Sequence, residues 1–94
     1  MEKNDMNTIT IDVSGIVDRP GFHDLMTEAL VLPSWYGRNL DALYDCLTEI
    51  AEETSIVFTG WEDMRQHIGL YAAGAEKVLN IAAQNNPRLT VSYL

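Results

Sequence analysis

Cysteine occurs once in the 94 residues, at Cys46. A lone cysteine forms no internal disulfide, so the fold must rest on an apolar core, and a reducing compartment fits. Positive charge is also scarce: 6 basic residues stand against 14 acidic ones, a net charge of −8. That deficit argues against nucleic acid as the direct partner, because nucleic-acid binders displace counterions with their own cations. An anionic membrane surface is disfavoured on the same ground. No run approaches the roughly 20 apolar residues of a membrane span, and the opening MEKNDMNTIT lacks the apolar stretch of a secretory signal. Repeats, low-complexity tracts and linkers are absent. The expectation is one domain over 1–94, with 1–6 a flexible N-terminus, in a soluble cytoplasmic protein; the charge balance by itself leaves open a cationic protein or a metal ion as partner, or a charge that serves solubility alone.

Motifs for catalysis are missing too. There is no glycine-rich phosphate loop, no G-x-S-x-G elbow and no D-x-D-x-D-G calcium loop. Paired carboxylates can act as acid and base or hold a metal, but no histidine lies near the acidic residues of 41–53 in sequence. Neither an enzyme nor a cofactor or metal site is expected. Cys46 has no evident base beside it and reads as a small core residue. His23 and His67 read as surface or satisfied structural residues, and Trp61 as packing.

What is present sorts into elements. TITIDV (8–13) alternates, with Ile9, Ile11 and Val13 on one face, and predicts a strand. DRPG (18–21) reads as a turn, and Phe22, Leu25, Met26, Ala29 and Leu30 recur at helical spacing until Pro33. PSWYGR (33–38) is a connection with Gly37 as its flexible point, and Asn39 is a plausible N-cap for a helix running to about Glu53. SIVFT (55–59) reads as a buried strand. GWEDMRQH reads as a turn and one short helix. From Leu70 to about Asn85 a longer helix is expected to bury Leu70, Val78, Leu79, Ile81 and Ala82. LTVSYL makes a last strand. The order β-α-α-β-α-α-β predicts an α/β fold, a three-stranded parallel sheet packed with about four helices through right-handed crossovers.

The helix after Asn39 is unusual. On a wheel of roughly 100° per residue, Leu40, Leu43, Leu47, Ile50 and Ala51 face one side, and Asp41, Asp45, Thr48, Glu49 and Glu52 the other. From Asn39 through Met64 there is no lysine or arginine, although the stretch holds seven acidic residues (41, 45, 49, 52, 53, 62 and 63). Like charges four apart destabilise a helix by a few tenths of a kcal/mol. Segregated charge beside the aromatics Trp35, Tyr36 and Tyr44 suggests an interface, since aromatic anchors in a charged surround resemble protein–protein hot spots. A plain solvated acidic face is the other reading.

LPSWYGRNLDALYDCLTE closely resembles the barstar signature, roughly L-P-x-Y-Y-G-x-N-L-D-A-L-W-D-C-L-T-G, and GAEKVLNIAAQ (74–84) resembles that family's later helix. The resemblance covers nearly the whole chain. It implies a barstar-like three-layer-type α/β domain and an intracellular, monomeric inhibitor of a small cationic ribonuclease such as barnase. It implies that the helix and preceding loop plug the active site, with Asp45 standing where a phosphate binds and Asp41 as a second acidic contact. It places Trp35 at the loop tyrosine, and Gly37, Asn39, Leu40, Tyr44 and Thr48 in or beside the contact surface, with Ile81 as an apolar contact. Trp35 replaces tyrosine and Tyr44 replaces tryptophan. Glu49 stands where glycine is usual, and Gln84 aligns with an acidic contact. Those departures keep open a different cationic partner, a non-barnase nuclease toxin or a protein that is not a nuclease.

Overall fold

The computed structural model describes residues 7–94, and the N-terminus expected at 1–6 lies outside the described residues. The order is β1 (Asn7–Asp12), α1 (Arg19–Leu30), α2 (Leu40–Thr48), β2 (Thr54–Thr59), α3 (Trp61–Asn85) and β3 (Leu89–Tyr93). The strands form one parallel sheet, β1-β2-β3. Ile11 pairs with Phe58, and Phe58 in turn with Tyr93. Parallel neighbours need crossovers long enough to carry helices, which α1 with α2, and then α3, supply.

Burial alternates along the strands. Ile11, Thr54, Ile56, Phe58 and Leu89 are buried, whereas Thr8, Thr10, Asp12, Thr90 and Ser92 are exposed. The helices therefore cover one face of the sheet with Phe22, Met26, Leu43, Leu47, Met64, Ala72, Ala75, Leu79 and Ala82, all fully buried. The packing is a parallel sheet against helices, the α/β arrangement that the sequence predicts.

The residues expected to form a turn at 18–21 instead start α1. Asp18 is its N-cap and accepts a hydrogen bond from Gly21 N at 2.8 Å, with Pro20 in the first turn, where its missing N–H costs nothing. The helix count is three rather than four. Residues expected as a short helix and a longer one run together in α3 across non-helical backbone at Ile68 (φ −131°, ψ 47°), next to Gly69, where a kink is cheap. Past this kink Leu70 points outward, 94% exposed, and Ile81 is also exposed, while Ala72, Ala75, Leu79 and Ala82 turn inward. Both leucine and isoleucine were expected in the core. Trp61 packs with Phe58 and Tyr93, each ring centroid 4.9 Å away. Its Nε1–H has no partner among the described residues, so its place rests on ring packing. No helix among the described residues is long and apolar enough to cross a membrane.

The helix α2 stops at Thr48, short of the expected Glu53. Its end is held from a distance: the buried Asn86 side chain donates to Leu47 O in the last turn at 2.9 Å and to Ile50 O just past the cap at 3.1 Å. Carbonyls at a helix end need such partners, and here the C-cap residue of α3 supplies one. Glu49 is thus the C-cap, and Ile50, Ala51, Glu52 and Glu53 lie beyond the helix.

Candidate protein-interaction site

Asn39 opens α2 as its N-cap: its side chain accepts from Ala42 N at 2.8 Å, which satisfies one of the free N–H groups of the first turn. Asp41 follows in that turn, where the helix dipole favours an anion. Leu43 and Leu47 bury the inner side, and this fixes Asp41 and Asp45 on the outside, both exposed. Thr48 is half-buried, and its hydroxyl donates back to Tyr44 O at 3.0 Å and Asp45 O at 3.1 Å. Glu49 is exposed just past it. Tyr44 is half-buried and its hydroxyl accepts from Asn85 Nδ2 at 2.7 Å, which ties α2 to the end of α3. Leu40 lies against α3 at Gly74, where an added Cβ would come within 3.2 Å of Leu40 Cδ1; a glycine there lets the two helices meet.

The preceding loop presents Trp35, 69% exposed. Tyr36, expected as a second exposed aromatic, is buried at 6%. Nor is Gly37 the residue with unusual backbone: the left-handed conformation belongs to Arg38 (φ 58°). Arg38 Nη2 reaches Asp24 Oδ1 at 2.7 Å and Pro20 O at 3.2 Å, so the loop is pinned to α1. Gly37 and Asn39 are exposed beside it. On α3, Ile81 lies one turn before Asn85, and Gln84 is exposed next to Asn85. No hydrogen bond joins Gln84 to α2 among the described residues. The structure thus brings Trp35, Gly37, Asn39, Leu40, Asp41, Tyr44, Asp45, Thr48 and Glu49 onto the loop and α2, and sets Ile81 and Gln84 on the neighbouring helix.

Beneath the loop lies a feature that sequence reasoning did not assemble. His23 is buried, with Nδ1 2.6 Å from the Tyr36 hydroxyl and Nε2 2.5 Å from the Tyr71 hydroxyl. Burial holds the imidazole below its ordinary pKa, and Arg38 lowers it further, against a smaller opposing effect of Asp24. Burial likewise raises the phenols of Tyr36 and Tyr71. The Cys46 thiol is also pushed up, by burial first and then by Glu49 and Asp45, so it is poorly poised as a nucleophile. No local signal marks this cluster, because its tyrosines lie 13 and 48 residues from His23.

A neutral buried histidine makes stability depend on pH. The unfolded chain protonates His23 near pH 6.5, and the folded chain does so only at lower pH. Between those values the unfolded state binds more protons, so stability falls as pH falls, by at most about 1.4 kcal/mol per pH unit; above the window the contribution is constant. Urea unfolding at pH 7.5 and 5.5 should show a larger loss for the wild type than for His23→Gln. Equal losses would mean that His23 titrates alike in both states.

These elements make a small parallel α/β protein with an exposed acidic helix preceded by a loop that exposes a tryptophan. The family model described as barstar (barnase inhibitor) matches residues 6–93, and the chain belongs to the barstar family. It is 34% identical over 80 residues to a Bacillus subtilis (strain 168) protein named "Putative ribonuclease inhibitor YrdF", a match covering 84% of this chain and 88% of that protein.

Proposed function

We propose that this protein is a stoichiometric inhibitor of a small cationic ribonuclease, not an enzyme, and that it acts as a monomer in the cytoplasm. It covers the catalytic cleft with Trp35, Gly37, Asn39, Leu40, Asp41, Tyr44, Asp45, Thr48 and Glu49, with Ile81 and Gln84 at the margin. The observation that carries this reading is the pair Asp41 and Asp45, exposed one turn apart on a helix in a stretch, 39–64, without lysine or arginine. A ribonuclease cleft binds phosphate and is therefore cationic. A carboxylate held outward on a rigid helix takes a phosphate's place and accepts charge-assisted hydrogen bonds from arginine and lysine. The surrounding acidic field speeds encounter. Membership in a family of barnase inhibitors, and a relative bearing a ribonuclease-inhibitor name, support the reading.

The test is a titration of a barnase-type ribonuclease with this protein, following RNA cleavage. Activity should vanish at one equivalent, with association slowed as salt rises from low to physiological concentration. Full activity in the presence of excess protein would overturn the reading for such enzymes. Glu49 and Gln84, both exposed at this face, favour one second reading, in which the same surface serves a different cationic protein. Saturable binding of a protein that is not a nuclease, with no ribonuclease inhibited, would select it.

A further inference from the structure

The acidic face has a basic corner. A cleft of about 650 Å³ opens between the start of α1, the loop before α2 and α3, lined among others by Arg19, His23, Arg38, Leu40, Asp41 and Tyr71. In a chain with 6 basic residues, two guanidinium groups line this one cleft. Arg19 lies over the Tyr71 ring, 4.7 Å from its centroid, a cation–π contact that holds its direction. Arg38 is held by Asp24 and the Pro20 carbonyl. A guanidinium has five donors, and those two contacts leave others for a ligand.

The buried histidine orients a further donor. Tyr36 is buried, and its hydroxyl meets only His23 among the described residues. If that hydroxyl accepted from His23, its own proton would be stranded, which costs about 1–3 kcal/mol for a buried donor. Tyr36 therefore donates to Nδ1. A neutral imidazole then carries its proton on Nε2 and donates to the Tyr71 oxygen. This leaves the Tyr71 O–H to donate to an acceptor in the cleft that Tyr71 lines. Two arginines and a tyrosine with a hydroxyl proton to spare line one cleft, a donor set that suits an oxyanion.

We propose that this cleft receives an aspartate or glutamate side chain of the inhibited ribonuclease, beside the basic group that Asp41 engages. The inference rests on the inhibitor reading above. The cleft shares Asn39, Leu40 and Asp41 with the docking face, so a protein seated on that face also covers the cleft mouth. Nucleic acid is the poorer occupant. Asp41 borders the cleft and the chain carries a net charge of −8, a field that repels a polyanion. A carboxylate carried by a cationic protein arrives down that field instead of against it. Alternating sign along one face also fixes docking register and discriminates among cationic enzymes, because a partner without the matching acid leaves the arginines uncompensated.

The experiment measures inhibition of a barnase-type ribonuclease by the wild type and by Arg19→Gln, Arg38→Glu, Asp24→Asn and Asp45→Ala, with thermal unfolding of each. Arg19→Gln is expected to raise Kd by about tenfold, and Arg38→Glu by about a hundredfold, as for charge loss and charge reversal at a desolvated contact. Asp24→Asn, which releases Arg38 from its own ion pair, should bind as tightly as the wild type or tighter. Changing the ribonuclease's acidic residues to lysine one at a time should find one that restores Arg38→Glu. Wild-type affinity for both arginine variants, or the absence of any restoring change, would overturn the proposal while leaving the inhibitor reading intact. A loss in Asp24→Asn equal to that in Arg38→Glu would overturn it too, by showing that Arg38 acts only by pinning the loop. Failure of the wild type to inhibit would overturn both; weakening by Asp45→Ala alone would sustain only the inhibitor reading.

Discussion

Asp45→Ala is expected to raise the Kd for the target ribonuclease by about thirtyfold or more, a loss of about 2 kcal/mol or greater, as befits a central hot-spot side chain. It should do so without weakening the fold. Asp45 is exposed in the middle of α2, and its side chain makes no hydrogen bond or ion pair among the described residues, so folding gains little from it. Its neighbours at spacing four are Asp41 and Glu49, and removing the central charge relieves two like-charge pairs worth a few tenths of a kcal/mol each. Alanine also has the best helix propensity. The thermal midpoint should therefore hold or rise while affinity falls. Those opposite signs separate a functional anion from a structural one. Inhibition titration and thermal unfolding of the same variant read both. Unchanged affinity would remove Asp45 from the role of phosphate mimic, and a lowered midpoint would mark it as part of the fold.

The second large effect lies at the junction of β2 and α3. Gly60→Ala should destabilise the fold by about 3 kcal/mol, the combined cost of overpacking and a left-handed backbone. Gly60 sits between β2 and α3 with φ +74°, a conformation a β-carbon resists. The space is closed as well. An added Cβ would lie 2.5 Å from Ser14 Cβ and 2.9 Å from both Ser14 Cα and N. The obstacle is largely backbone, so no rotamer change clears it. Ser14 is held by its amide, which donates to Asp12 Oδ1 at 3.0 Å, and the neighbouring Val13 N bonds Thr59 O at 2.9 Å. The ends of β1 and β2 would have to separate. Gly15→Ala is the control, because nothing lies within 4 Å of its added Cβ, and its midpoint in urea should stay near the wild type. A wild-type midpoint for Gly60→Ala would mean that the Ser14 segment gives way at little cost.

Several features of the fold could be read directly because their causes are local. The alternation of Ile9, Ile11 and Val13, the run at 55–59 and the last strand depend on side-chain period alone, and all three strands form. Asn39 caps α2 because a cap needs only the three residues after it. Leu43 and Leu47 turn inward and Asp41 and Asp45 outward because four residues make about one turn. The longer errors share one origin. Helical periodicity continues past Thr48 in sequence, but Asn86, 39 residues from Leu47, closes the helix there. Tyr36 looks like Trp35 by composition, and only its bond to the buried His23 holds it inside. Leu70 fits an apolar stripe until the backbone at Ile68 turns it outward.

By itself, then, the sequence determined the element types, the parallel α/β order, the concentration of acid without base from 39 to 64 and the motif that marks the barstar family. Tertiary structure alone decided where the acidic helix ends, which aromatic is offered to solvent, and that Arg19 and Arg38, distant in sequence, meet at one cleft beside Asp41. The physical reason is range. Period, caps and charge density act over a few residues, whereas burial and the pairing of buried polar groups depend on which distant segments the packed core brings together.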